Sequence, residues 1–129
     1  MLRITRLYAD EDGNARFQDV EVAFTPDDPP PDATSVSPPL PASAVLFARA
    51  SAGGGHGEQP EHQRQLAIGV SGTAEITASG ETRRFGPGDV LLIEDTEGVG
   101  HSSRTLEGFV AAVVVLEPSP VRHDPPAGA

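Results

Sequence analysis

Histidines, and the small polar residues that share strands with them, are the side chains of this chain best suited to chemistry. The sequence has four histidines, no cysteine and no lysine. Thiolate nucleophiles, thiolate-bound metals and lysine Schiff bases are therefore excluded. Imidazole transfers protons near neutral pH and also binds zinc, copper, iron and nickel. His101 is the first candidate for either role.

The neighbours of His101 indicate a cavity wall. Alternate residues of a strand share one face, and two predicted strands each present a face of polar or small side chains. These faces consist of His101, Ser103 and Thr105 on one strand and of Gln63, Gln65, Ala67 and Gly69 on the other. Such residues fill a core poorly and suit the wall of a pocket. We therefore predict a small-molecule pocket centred on His101 and Gln65.

The opposite face of the second strand is apolar. It carries Leu66, Ile68 and Val70, which must be covered by an amino-terminal hairpin or by a second subunit. This pattern predicts a homodimer.

The elements that position these residues are short strands separated by turns. Strand and turn signals recur every eight to twelve residues, as is typical of an all-β sandwich or barrel. The predicted organisation is an amino-terminal hairpin (1–25), a proline-rich strap (26–43), a barrel (44–116) and a loose tail (117–129). The turn at Gly86, Pro87 and Gly88 has the residues of a type II turn.

Charge and hydropathy narrow the range of partners. The formal net charge of -10 disfavours nucleic acid and anionic membrane surfaces. The amino terminus lacks the apolar stretch of a secretion signal, and no apolar run is long enough to span a membrane. We therefore expect a cytoplasmic protein.

Charged residues near the predicted pocket are expected to face solvent. The acidic run of Glu94, Asp95 and Glu97 precedes His101, and it could stabilise the charged form of a nearby histidine. Among the arginines of the strands, Arg64 and Arg104 do not point inward by alternation. Most of the strand arginines are therefore predicted to be exposed.

The spacing of several residues is similar to the two motifs of the cupin superfamily, G(X)5HXH(X)3,4E(X)6G and G(X)5PXG(X)2H(X)3N. Gly98 and His101 keep the spacing of the second motif, with Thr96 in place of its proline and Thr105 in place of its asparagine. In the first motif, Gln65 stands where the family has glutamate, and one register puts Glu61 at a histidine position. Over residues 44–116 the chain thus resembles small single-domain bacterial cupins with degenerate metal motifs. The resemblance implies a cupin-type jelly-roll β-barrel, also called a double-stranded β-helix.

The resemblance also implies a metal site, which this sequence could only rebuild from other residues. The candidate ligands are His101, His62, His56 and Glu61, and the ion would be zinc, iron, nickel or manganese. The other interpretation is a pocket without metal.

Three functions remain open at this point. The first is a non-redox isomerase, cyclase, lyase or epimerase, in which His101 acts as acid or base and Gln65 orients the substrate. The second is a metal-dependent oxygenase with the rebuilt site. The third is a cupin that binds or senses a small molecule without transforming it.

Overall fold

The computed structural model describes residues 2–118, and these form ten β-strands and no helix. In chain order the strands are β1 (Leu2–Ala9), β2 (Ala15–Val22), β3 (Ala42–Ala50), β4 (Gly55–Gln59), β5 (Gln65–Gly72), β6 (Ala74–Ala78), β7 (Glu81–Phe85), β8 (Val90–Glu94), β9 (His101–Arg104) and β10 (Phe109–Leu116). They build a six-stranded sheet in the order β2-β1-β8-β5-β10-β3 and a four-stranded sheet in the order β4-β9-β6-β7. Neighbouring strands are antiparallel, except that β1 runs parallel to β8.

Tight turns connect strands within the small sheet and between the two sheets. Ser79 and Gly80 both have positive φ, 49° and 79°, in the two-residue turn between β6 and β7. In the predicted type II turn, Gly88 has a φ of 85° and the Asp89 amide donates to the Gly86 carbonyl at 3.1 Å. The chain then places β5, β8 and β10 in the large sheet and β6, β7 and β9 in the small one.

The main core lies between the sheets. The large sheet contributes Leu7, Leu91 and Ile93, and the small sheet contributes Ile76 and Phe85. Alternation explains this set, because inward residues are two apart along each strand. Leu7 is completely buried.

A second apolar cluster lies on the opposite face of the large sheet. It contains Ile4, Val20, Leu92 and Leu116, and Leu66 packs against it. The amino-terminal hairpin joins this sheet beside β8 and so contributes Ile4 and Val20 to the same face as Leu66. The hairpin therefore extends the outer face of the large sheet. Covering that face was the role expected of the hairpin or of a second subunit.

The same face carries a buried charge cluster that differs from the expectation for the arginines. Glu94 accepts hydrogen bonds from Arg6 Nε and Arg64 Nε, both at 2.5 Å. Only 5% of the Arg6 side chain and 16% of the Arg64 side chain are exposed. Arg64 points outward as alternation required, but it is ion-paired and largely covered. The Glu94 carboxylate on β8 offsets part of the positive charge and hydrogen-bonds both guanidinium groups, which lowers the free-energy cost of burying them.

The two sheets meet along two seams that differ in structure. At the closed seam, β2 faces β7: the Phe17 and Phe85 rings lie 6.4 Å apart, and Arg83 Nη1 donates to Asp19 at 2.8 Å. At the open seam, between the edge strands β3 and β4, residues 42–49 of β3 are all exposed. The sandwich is thus filled on one side and accessible on the other.

The proline-rich segment follows an irregular course between β2 and β3. It is held by a bridge in which the amides and carbonyls of Thr25 and Val36 exchange hydrogen bonds at 2.8 and 3.0 Å. Of the predicted tail, residues 119–129 lie outside the described residues. Across residues 2–118 there is no helix of the length and apolarity needed to cross a membrane.

Candidate functional site

A cavity of about 200 Å³ lies between the two sheets on the side of the open seam. Its walls are mostly apolar, with small alanines from β3 and larger side chains from the core. Its ionisable groups come from the small sheet and from the connecting loops: His56, Glu61, Asp89, His101 and Arg104.

His101 is the most buried of these groups, with 2% exposure at the start of β9. Its Nδ1 lies 2.5 Å from Oδ2 of Asp95, which is completely buried. An ionised carboxylate can only accept, so the imidazole donates from Nδ1. In the neutral ring, Nε2 then carries the free lone pair, and it faces Glu61 Oε1 at 3.7 Å.

His56 repeats this arrangement on the neighbouring strand β4. Its Nδ1 lies 2.8 Å from the Gly57 carbonyl oxygen, which also can only accept. The lone pair of the neutral His56 ring is therefore on Nε2. The His56 and His101 rings meet edge to face, with centroids 5.0 Å apart.

Two glycines allow β4 and β9 to come close enough for this meeting. A side chain at Gly55 would place its Cβ 2.1 Å from the Ser103 carbonyl oxygen, and one at Gly100 would place it 2.0 Å from the Gln59 carbonyl carbon. Both glycines also have positive φ, 138° and 80°. Gly55 and Gly100 thus allow the His56 ring to lie against the His101 ring.

Asp95 connects the parts of the site. Its side chain receives the His101 hydrogen bond, and its backbone carbonyl receives the Glu61 amide at 3.1 Å. Its second oxygen, Oδ1, is buried and has no hydrogen-bond partner among residues 2–118. The acidic run was predicted to be solvated, whereas Asp95 is a buried support of the site.

His56, Glu61 and His101 converge on one point. One ligand atom from each residue lies within 4.8 Å of the other two. Ring nitrogens of neutral histidines and a carboxylate oxygen all carry negative charge, so a cation or a proton between them stabilises their close approach. Two histidines and a carboxylate are also a donor set common to zinc and non-haem iron sites. The residues therefore fit a divalent transition metal ion.

Several residues predicted for the pocket do line the cavity: Ala67, Gly69, His101, Ser103 and Thr105. The Thr105 hydroxyl donates to the Thr73 carbonyl at 2.7 Å and accepts from the Gly108 amide at 3.0 Å. Thr105 therefore holds the loop before β10 and has little hydrogen-bonding capacity left for a ligand. Ser103 is the uncharged hydroxyl on this wall that has room to contact one.

Gln63, Gln65 and His62 lie elsewhere. β5 begins only at Gln65, so Gln63 and His62 are exposed in the bend that precedes it. Gln65 is half-buried at the strand end, and the cavity wall on β5 consists of Ala67 and Gly69. Glu61 thus lies beside His101, at the position that was predicted for Gln65.

Inner faces of further strands line the cavity and were not predicted from the sequence. Leu91 and Ile93 of β8, and Ala48 and Ala50 of β3, line the cavity. Alternation shows which residues of a strand share a face. Only the sheet order shows which of the two faces points into the cavity.

The sheet order, the passage of strands between the sheets and the enclosed cavity define a cupin-type jelly roll, so the predicted fold is confirmed. With its histidine and carboxylate cluster, the chain falls in the class of jelly-roll proteins that have a cavity between their sheets.

One of the similar solved structures has a TM-score high enough to support the fold, and the likeness does not extend to an activity. A structure of unknown function from Rhizobium leguminosarum is 22% identical, with a TM-score of 0.51 over 58% of this chain and 69% of that one. A conserved Streptococcus pyogenes protein of unknown function is 24% identical, with a TM-score of 0.49 over 58% of this chain and 64% of that one.

A cupin 2 conserved barrel domain protein from Salinispora arenicola is 22% identical, with a TM-score of 0.46 over 57% of this chain and 61% of that one. The match thus covers less than two thirds of the Streptococcus and Salinispora chains. No family model and no curated protein matches the sequence.

Proposed function

We propose that this chain binds one divalent transition metal ion through His56, Glu61 and His101, and that the adjoining cavity holds a small uncharged molecule. The observation that carries the proposal is the convergence of one ring nitrogen from each of His56 and His101 and one carboxylate oxygen of Glu61 within 4.8 Å. A bound ion would supply Lewis acidity toward an oxygen or nitrogen donor of the ligand.

The hydrogen bonds behind the site support a metal-binding role. Histidines that bind metals usually donate their other ring N–H to a carboxylate or a backbone carbonyl, which fixes the tautomer. His101 donates to Asp95 and His56 donates to the Gly57 carbonyl. Both rings are thus oriented before any ion arrives.

The size and charge of the cavity indicate the class of ligand. Its volume of about 200 Å³ is below the roughly 300–1,000 Å³ of pockets for drug-sized molecules. Glu61 and Asp89 line it, and the lining Arg104 is already paired with Glu75 at 2.7 Å. Anions are disfavoured by these carboxylates, and the apolar walls favour a small ligand with one polar end.

Metal titration of the chelator-treated full chain tests the proposal. We expect one Zn²⁺ or Ni²⁺ per chain by calorimetry, with elemental analysis as the second readout. Because a metal ligand is lost, His56→Ala, Glu61→Ala and His101→Ala should each weaken binding by more than about 100-fold, the upper end of the effect of losing a supporting residue.

His62→Ala is the matched control, since His62 is exposed and off the cavity wall. This variant should bind the ion like the parent chain. Failure of the parent chain to take up a stoichiometric ion, or equal weakening by His62→Ala, would contradict the proposal.

A second candidate is supported by the His101–Asp95 pair alone. A completely buried carboxylate that orients an imidazole is the arrangement of a general base, with Nε2 directed at the substrate. In this function His101 removes or delivers a proton without a metal ion, as an isomerase or lyase requires.

Once a substrate has been identified, His56→Ala distinguishes the metal-dependent function from acid–base catalysis without metal. Mass spectrometry of compounds that co-purify with the native chain identifies candidate substrates. Acid–base catalysis without metal predicts that turnover survives His56→Ala and chelation but not His101→Ala. The metal-dependent function predicts that all three treatments abolish it.

A further inference from the structure

Strand β3 is an unprotected sheet edge. Over the described residues it pairs with β10 on one side, and it ends the order of the large sheet. Its side chains are exposed on both faces, including Val45 at 66%, Leu46 at 46% and Phe47 at 74%.

Natural sheet edges usually carry features that prevent pairing with other chains. Typical features are short length, proline, several charges or a bulge. β3 has nine residues, no proline and a single charge at Arg49, and a typical strand has about five or six residues. The register irregularity with β10 falls at its amino-terminal end, beside Ala42. The middle of this edge is therefore open to backbone pairing.

We propose that β3 pairs antiparallel with β3 of a second copy, about a two-fold axis that passes beside Leu46. The strand is self-complementary in this register. Leu46 meets its own counterpart, Val45 meets Phe47 of the second copy, and Ala44 meets Ala48. The two large sheets then form one continuous sheet of twelve strands.

Alternation places the contacts on two faces. In the pairing with β10, Val45 and Phe47 lie opposite Val114 and Ala112, and Leu46 lies opposite Val113. Val45 and Phe47 thus share the outer face, where they would pair side by side with Phe47 and Val45 of the second copy. An apolar cross-strand pair of this type stabilises a sheet by roughly 0.2–1 kcal/mol beyond alanine.

Charge opposes a second copy least at this edge. The chain carries a formal charge of -10, so two copies repel each other over most orientations. The strand itself contributes no acidic group. In the proposed register the two Arg49 residues lie six positions apart along the strand, about 20 Å. That separation exceeds the Debye length of about 8 Å at physiological salt, so their repulsion is screened.

The interface would border the cavity. Ala48 and Ala50 line it from the inner face of β3. The second copy would therefore lie beside the open seam and restrict the approach to the site.

Cysteine cross-linking tests the register, because the chain has no cysteine of its own. Single cysteines placed in turn at residues 43–48 of the full chain should give most disulfide-linked dimer at Leu46→Cys. Residues paired with themselves across the axis are about 5 Å apart, whereas Val45 or Phe47 meets its own counterpart only diagonally, at about 7–8 Å. A maximum at another residue would overturn the Leu46 register.

Charge exchange at the axis tests the interface itself. The parent chain should sediment at about twice the 13.4 kDa of one chain. Leu46→Asp alone and Leu46→Arg alone should each be monomeric, because like charges would face each other. An equal mixture of the two variants should recover the dimer.

Leu106→Asp and Leu106→Arg are the matched controls, since Leu106 is 79% exposed and lies outside the strands. They should stay dimeric, and the circular dichroism spectra of all variants should match that of the parent. A parent chain that sediments as a monomer at 100 μM, or a mixture that stays monomeric, would overturn the proposal.

Discussion

The closed and open seams join the same two sheets with opposite results. At the closed seam, Phe17, Phe85 and the Arg83–Asp19 ion pair fill the space between β2 and β7. At the open seam, β3 and β4 offer alanines and glycines, and the space is left as the cavity. Large side chains stabilise one side, and small ones leave room for chemistry on the other.

This contrast separates the packed core from the candidate site. The clusters that bury large apolar side chains draw heavily on the amino-terminal hairpin and β8, while two of the three candidate ligands come from β4 and the loop after it. Substitutions on the two sides should therefore have different consequences.

The largest expected effect is on the free energy of unfolding, and it is measured by making the same Leu→Ala substitution at two positions. Leu7→Ala removes a completely buried side chain from the core beside the closed seam, which should lower the free energy of unfolding by about 2–5 kcal/mol. Leu106→Ala, near the open seam and 79% exposed, should change it by less than about 0.5 kcal/mol. Urea denaturation measures both. Equal losses would show that the two sides do not differ in packing.

An intermediate effect is expected at Asp95. Asp95→Asn keeps the size of the side chain but removes the charge that orients His101, so metal affinity should fall by about 10–100-fold. Calorimetric titration measures the change. Glu97→Gln removes a nearby charge and is the control, with affinity near that of the parent. Unchanged metal affinity in Asp95→Asn would show that the charge of Asp95 does not support the site.

The smallest effect concerns the hairpin turn that leads into β2. The hydrogen bond from Arg16 Nε at 2.9 Å, with amide donors from Asn14 and Asp12, holds the pKa of Asp10 below its usual 3.8. The folded state thus favours the carboxylate, and the resulting stability is present above pH 3.8 and is lost as pH falls through the lower, folded-state pKa.

A carboxyl titration by NMR checks this prediction. Arg16→Ala should move the pKa of Asp10 upward, because it removes the largest cause of the shift. Arg3→Ala, on the same hairpin and paired with Glu21, should leave it unchanged. An Asp10 pKa that is the same in the parent and in Arg16→Ala would contradict the assignment.

Alternation and turn chemistry were sufficient to predict much of the architecture. The residue pattern predicted the all-β class, the turn at Gly86–Gly88, and the shared face of His101, Ser103 and Thr105. These features depend on neighbours within a few residues. The sequence carries such information locally.

The partners of His101 could not be predicted in the same way. Counting motif positions placed Gln65 beside it, but β5 starts too late for that residue to line the cavity wall. Likewise, the position of His56 beside His101 depends on Gly55 and Gly100, which allow β4 to lie close to β9.

By itself, then, the sequence determined that strands form, where they turn and which residues share a face, because the two-residue period of a strand is a local property. Only the tertiary structure decided that His56, Glu61 and His101 meet, that Asp95 is buried behind them and that β3 is left at an edge. Those outcomes depend on sheet order and on the close approach of β4 to β9, which bring together residues far apart in the chain.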